Sequence, residues 1–133
     1  MESFLPLLLL ISLTSVIGLL LRAKKGVIKR ATRLKISEGE FGGKYGSRLT
    51  ILQFSTTFCS ECRTSKAIVK DVVKDFKYIA YVEVDAESNL ELVRRVDIRS
   101  TPTTIFLNSK GFEIARAKGA PKRDQLIKAI KAI

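Results

Sequence analysis

Residues 4–21, FLPLLLLISLTSVIGLLL, run for 18 positions without a charged side chain. As a helix this run reaches about 27 Å at 1.5 Å per residue, just enough to cross the hydrocarbon core of a bilayer. A helix on the surface of a globular domain keeps one polar face. This run is apolar on every face, and the rest of the chain is too small to enclose it, which argues against a buried core helix. A cleaved signal peptide has a basic start, a shorter apolar region and a small-x-small cleavage site. This chain instead begins Met-Glu-Ser and leaves the run through Leu-Leu-Leu-Arg-Ala-Lys-Lys. Residues 1–21 are therefore read as an N-terminal transmembrane anchor, in contact with lipid through residues 4–21.

Charge supports this reading and orients it. The formal net charge of +11 would point to nucleic acid if it were gathered on a folded face. It is concentrated elsewhere: Arg22, Lys24, Lys25, Lys29, Arg30, Arg33 and Lys35 fall between Arg22 and Ser37 with no acidic residue among them. Residues 22–48 thus read as a basic juxtamembrane linker. Lys and Arg beside a spanning helix stay on the cytoplasmic side, so a single-pass cell-membrane protein with a cytoplasmic soluble domain is expected, an extracytoplasmic domain being the alternative. The basic stretch 22–35 is a topology signal, with anionic lipid contact as a by-product. It has no interleaved aromatics, and no nucleic-acid partner is expected.

Within the linker one short strand is expected near Arg33–Ser37, and Gly39, Gly42, Gly43 and Gly46 argue against a helix. Beyond it, at 46% apolar residues for the whole chain, residues 49–133 suffice for one packed domain. Leu49–Phe54 (LTILQF) reads as a central strand and Ser60–Lys77 as a helix with Ala67, Ile68, Val72, Val73 and Phe76 inward. Tyr78–Val84 reads as a buried parallel strand and Asp85–Val96 as a second helix with Leu90, Val93 and Val96 on its apolar side. Thr103–Leu107 and Phe112–Ala117 form a hairpin about Asn108-Ser109-Lys110-Gly111, and a last helix opens at Pro121. The order is βαβα followed by ββα.

The chemistry sits at the first strand-to-helix junction. Cys59 and Cys62 are the only cysteines, and the chain has no histidine. A helix start presents unpaired N–H groups and the positive end of the dipole, which favour a thiolate on Cys59. That thiolate attacks a disulfide sulfur, and Cys62, one turn further in, resolves the mixed disulfide by closing the Cys59–Cys62 bridge. A zinc site needs about four Cys or His ligands, so no metal is expected. Two incidental buried cysteines and a purely structural disulfide remain as alternatives, the latter disfavoured in a reducing compartment.

From Leu49 to Ile133 the chain resembles the thioredoxin family. The resemblance rests on the strand ILQF, the turn into Cys59-Ser60-Glu61-Cys62, the strand ending Val82-Glu83-Val84-Asp85, the loop Ser100-Thr101-Pro102-Thr103, and Gly111 and Gly119 about the last hairpin strand. It implies an α/β, thioredoxin-like fold with a βαβα-ββα core, preceded here by the transmembrane helix. It also implies a cis-proline at Pro102 facing the dithiol, and a substrate-binding surface of Phe58, Thr101 and Pro102 on which the Thr101 backbone pairs with a substrate segment.

The departures from the family pattern are specific. Phe58 stands where thioredoxins carry Trp, and Ser60-Glu61 where they carry Gly-Pro. Gln53 replaces their buried Asp and Tyr81 the Lys that pairs with it; Ala67 occupies the position of their kinking proline. Proton transfer to Cys62 is then expected to rely on water or a neighbouring group such as Glu61. Ser60, Glu61 and Arg63 are candidate modulators: a carboxylate beside Cys59 opposes the thiolate and a guanidinium favours it. Glu61 also has a plain role as a first-turn acid.

The sequence thus points to a membrane-anchored thiol–disulfide oxidoreductase, a protein-disulfide oxidoreductase working on protein disulfide substrates through a redox-active Cys59/Cys62 centre. No cofactor is implied. The alternative is a thioredoxin-like binding module with weak or vestigial redox activity.

Overall fold

The computed structural model describes residues 4–24, 26–30 and 34–133. Lys25 and Arg33, named above for their charge, and the first three residues of the expected anchor lie outside the described residues. The elements in chain order are α1 (Leu5–Ala23), β1 (Ile28–Arg30), α2 (Glu38–Phe41), β2 (Leu49–Ser55), α3 (Ser60–Val73), β3 (Ile79–Asp85), α4 (Leu90–Arg95), β4 (Thr103–Asn108), β5 (Glu113–Lys118) and α5 (Arg123–Lys131).

The five strands form one sheet in the order β1-β5-β4-β2-β3. β2 is flanked by β3, parallel, and β4, antiparallel, and all seven of its residues are buried. A strand covered on both faces has no solvent side, which is why apolar residues of β2 (Leu49 and Ile51, Leu52 and Phe54) fall on both of its faces. Its alternation divides the core. Leu52 and Phe54 pack with Ile36, Phe41, Val84, Leu92, Val96, Ile105 and Leu107 on one face of the sheet. Leu49 and Ile51 pack on the other with Val69 and Val72 of α3 and Leu126 and Ile130 of α5.

β3 is parallel to β2 as expected but lies at the sheet edge, and most of its residues are only half-buried. α3 ends at Val73 instead of Lys77, because i→i−3 bonds from Asp75 to Val72 and from Phe76 to Val73 tighten its last turn. Its covered face carries Cys62, Ser65, Val69 and Val72, whereas Ala67 points to solvent. α4 is shorter than the expected Asp85–Val96. The Asp85 carboxylate accepts from the Glu87 N–H (3.0 Å) and the Ser88 hydroxyl (2.6 Å), a local turn that takes the backbone out of helix until Leu90. Leu90 is consequently exposed, and Leu92 fills the core.

The stretch expected to be a linker is largely built into the fold. β1 pairs antiparallel with β5, Ile28 opposite Ala117. The described part of the strand expected near Arg33–Ser37 makes one bridge, Lys35 to Phe112. Ile36 is fully buried and Phe41 nearly so. A short helix, α2, forms despite the glycines. The Glu40 carboxylate accepts from the Ser37 N–H (2.7 Å) and hydroxyl (2.7 Å), fastening the start of the helix. Gly42, at φ +70°, turns the chain out at its end, so this glycine terminates a helix instead of preventing one.

α1 has no buried residue among the described residues. It is long and apolar enough to cross a membrane, a property that a signal sequence shares.

Candidate active site

β2 delivers the chain to the start of α3 at one end of the sheet. Cys59 is the N-cap of α3, with extended backbone (φ −103°, ψ 102°), and its Sγ accepts a hydrogen bond from the Cys62 N–H at 3.1 Å. An N-cap acceptor satisfies one of the orphan donors of the first turn, and a sulfur there feels the positive end of the helix. The two cysteines are joined as a disulfide with their Cα atoms 5.2 Å apart. Cys59 is half-exposed, whereas Cys62 is only 4% exposed. The outer sulfur is therefore the one an incoming group reaches first.

Gln53 lies directly beneath. It is fully buried on the α3 side of β2, and its Nε2 donates to the Cys62 carbonyl at 3.0 Å. Its Oε1 accepts from the Ser65 hydroxyl and the Tyr81 hydroxyl, each at 3.1 Å. The two positions that depart from the family's charged pair are thus bonded to each other as a neutral pair. Burial, reinforced by the Glu83 carboxylate, pushes the Tyr81 phenol above its ordinary range, so it stays protonated and remains a donor.

Beside the disulfide opens a cleft of about 360 Å³, lined by Cys59, Cys62, Arg63 and Lys66 from α3 and by Glu83 and Asp85 from β3 among others. Glu83 is held by Lys66 Nζ at 2.6 Å and by the Ser55 hydroxyl at 3.1 Å. Hydrogen bonds from the Ser88 hydroxyl and the Glu87 N–H hold the Asp85 carboxyl below its ordinary range. Sequence reasoning does not single out Glu83 and Lys66 as site residues, although a lone carboxylate inside the apolar run YIAYVEV is the signal that could find them. Glu61, the carboxylate expected near Cys62, is directed elsewhere: it accepts from the Ala120 N–H at 3.4 Å and does not line the cleft.

The remaining candidates gather around the disulfide. Phe58 is 98% exposed, directly before Cys59. Ser60 and Arg63 are exposed on the first turn of α3. The Thr101–Pro102 peptide is cis, Pro102 is buried, and its carbonyl accepts from the Gly119 N–H at 2.8 Å. The Thr101 and Thr56 hydroxyls, 3.4 Å apart, link this loop to the turn before the cysteines.

The family model described as Thioredoxin matches residues 35–132. Thioredoxin H5 of Oryza sativa subsp. japonica is 31% identical over 77 residues, covering 58% of this chain and 56% of that protein. Thioredoxin H2-1 of the same plant is 28% identical over 90 residues, covering 68% and 64%. The chain thus spans less than two thirds of the length of either. Among solved structures, thioredoxin-2, described as a component of malaria parasite protein secretion machinery, aligns with a TM-score of 0.60 and 28% identity over 65% of this chain and 84% of its own. Fasciola hepatica thioredoxin aligns with a TM-score of 0.58 and 25% identity over 65% and 82%.

Proposed function

The chain belongs to the thioredoxin family, and on that premise we propose that it is a membrane-anchored thiol–disulfide oxidoreductase exchanging disulfides with protein substrates through Cys59 and Cys62. The observation that carries the reading is the placement of Cys59: N-cap of α3, half-exposed, its sulfur bonded by the Cys62 N–H, with Cys62 buried behind it. In the reduced protein the Cys59 thiolate attacks a substrate disulfide, forming a mixed disulfide and releasing one substrate thiolate, which takes up a proton. Cys62, having lost its proton, attacks Cys59 Sγ and releases the second substrate thiolate. Two electrons and two protons pass to the substrate, and the Cys59–Cys62 bridge closes.

Phe58, Thr101 and Pro102 are proposed to bind the substrate segment, with Ser60, Glu61 and Arg63 tuning the thiolate. Residues 1–21 are the anchor. The basic segment that follows supports a cytoplasmic domain with anionic lipid contact. Readily labelled Cys59 in intact cells treated with a membrane-impermeant maleimide would overturn that side.

The deciding assay is insulin reduction by the full chain in detergent against its Cys59→Ser variant. Turnover lost in the variant is expected; equal rates sink the proposal. Cys62→Ser should accumulate mixed disulfides with its substrates. The neutral Gln53–Tyr81 pair, which offers no carboxylate beneath Cys62, favours a second reading as a binding module with weak redox activity. A redox titration separates the two, since the oxidoreductase has a reversible two-electron couple and the binding module none.

A further inference from the structure

The place where the chain leaves α1 decides which end of the domain the bilayer meets. α1 ends at Ala23 and Gly26 is already fastened, its N–H donating to the Lys118 carbonyl. Three Cα–Cα steps separate these residues, a reach of at most about 11 Å. Gly26 is also packed too closely for a side chain to be added: a Cβ there would lie 2.2 Å from the Ala120 carbonyl oxygen, on a backbone at φ +75°.

The strand register identifies this end of the sheet. Ile28 lies opposite Ala117, Lys118 opposite Thr103, Thr103 opposite Phe54, and Ser55 opposite Asp85. The start of β1, the end of β5, the Pro102 loop and the turn into Cys59 therefore share one end. Pro102 and Glu61 both bond the Gly119–Ala120 segment that faces Gly26. From β1 to β2 are three strand spacings, about 14 Å. The Ser109–Lys110 turn lies at the opposite end, the six residues of β4 away, roughly 20 Å.

A second observation concerns apolar exposure. Beyond the apolar run of residues 4–21, the large apolar side chains exposed among the described residues are Val27, Phe58, Leu90 and Ile133. The first three lie on segments adjoining the strands at the dithiol end: Val27 just before β1, Phe58 after β2, Leu90 after β3. Lys118 and Lys122 are exposed on the segment beside Gly119. Apolar and aromatic side chains with flanking lysines suit the interfacial layer of a bilayer containing anionic lipid.

We infer that the dithiol end of the domain is its membrane-facing end, so that its substrates are disulfides held close to the bilayer surface by other membrane-bound proteins. This rests on the anchored-oxidoreductase reading and adds an orientation and a substrate class to it. An incoming segment enters between the domain and the lipid, passing Phe58 before it reaches Cys59. The short tether makes reach selective: a disulfide fixed near the surface meets the dithiol at high effective concentration, and one carried far above it does not.

The test uses the full chain in vesicles of phosphatidylcholine and phosphatidylglycerol. The chain has no tryptophan, so Phe58→Trp and Ser109→Trp each install a single reporter. With lipids spin-labelled at the headgroup, fluorescence at position 58 is expected to be quenched several-fold more than at position 109; equal or reversed quenching overturns the inference. Retention of the unsubstituted chain in the vesicles after an alkaline wash, and its turnover of insulin in detergent, report the anchor and the chemistry separately. Loss of either overturns the reading beneath and the inference with it; retention of both with reversed quenching overturns the inference alone.

Substrate reach is tested with a co-reconstituted single-span peptide carrying a disulfide either beside its span or beyond a long rigid helical spacer. Pre-reduced protein should reduce the near disulfide on the order of tenfold faster in a single turnover. A Gly/Ser insertion of about ten residues after Lys24, which adds roughly 17 Å of flexible reach, should bring the ratio toward unity. Equal rates without the insertion overturn the inference.

Discussion

Helices α1 and α3 dispose of their apolar residues in opposite ways. Along α3 the covered positions Cys62, Ser65, Val69 and Val72 recur at spacings of three and four, so one stripe meets the sheet and the other face carries Arg63, Lys70 and Asp71 into water. α1 is apolar on all sides, and no residue of it is buried. Burial of α3 is supplied by the chain itself; the described residues supply none to α1. The first member of the α3 stripe is Cys62, so packing that helix also sets the inner sulfur in place. The contrast teaches that helices take different roles through the period of their apolar residues.

The largest expected effect that bears on this contrast is in α1. Leu13→Arg places a charge at the middle of the run and should oppose membrane insertion by about 3 kcal/mol, read as the fraction released by an alkaline wash. It should leave the unfolding midpoint of the soluble domain unchanged, and a shift there would show that α1 belongs to the domain's core. Next is Val69→Ala, which removes methyl groups from a fully buried position and should cost about 2 kcal/mol in denaturant unfolding, whereas Leu13→Ala should move it by less than about 0.5 kcal/mol.

Smaller again is Gln53→Leu. It deletes the amide that bonds the Cys62 carbonyl, the Ser65 hydroxyl and the Tyr81 hydroxyl, and should cost about 1.5 kcal/mol through the buried polar groups it strands. An unchanged unfolding midpoint would mean that the floor of the site does not hold α3.

The smallest effect is in pH. The Lys74 ammonium, with the Arg123 guanidinium, holds the Asp71 carboxyl below its ordinary value of 3.8. A depressed folded-state pKa contributes stability above the unfolded value, and that contribution is lost as pH falls through the folded value. Acid unfolding should therefore be slightly flatter below about pH 4 in Asp71→Asn. Membrane retention should not change over the same range, because α1 contains no carboxylate.

Particular residues show how far sequence reading reaches. β2 and the dithiol junction are legible because an apolar run meeting CxxC at a helix start is a local pattern. The end of α3 and the length of α4 are not, since i→i−3 bonds at Asp75 and Phe76 and the side-chain turn at Asp85 compete with helix in ways that periodicity does not report. α2 escapes a reading in which glycines act only as breakers: the Ser37–Glu40 fastening starts the helix and a glycine closes it as the C-cap. Glu83 reads in the sequence only as part of a strand, and its place beside the cysteines depends on β3 lying next to β2 in register.

The sequence by itself determined the uncharged run of residues 4–21, the βαβα-ββα order and the position of Cys59 and Cys62 at a strand-to-helix junction. Each depends on neighbours within a few positions, where hydrophobic period and turn chemistry act directly. Only the tertiary structure decided that Gln53 meets Tyr81, that Lys66 meets Glu83, that β3 is an edge, and that β1 closes on β5 at the dithiol end. Those pairings join residues from 17 (Lys66 and Glu83) to 89 (Ile28 and Ala117) positions apart. They are selected by strand register, which is settled when the two faces of the sheet are buried together.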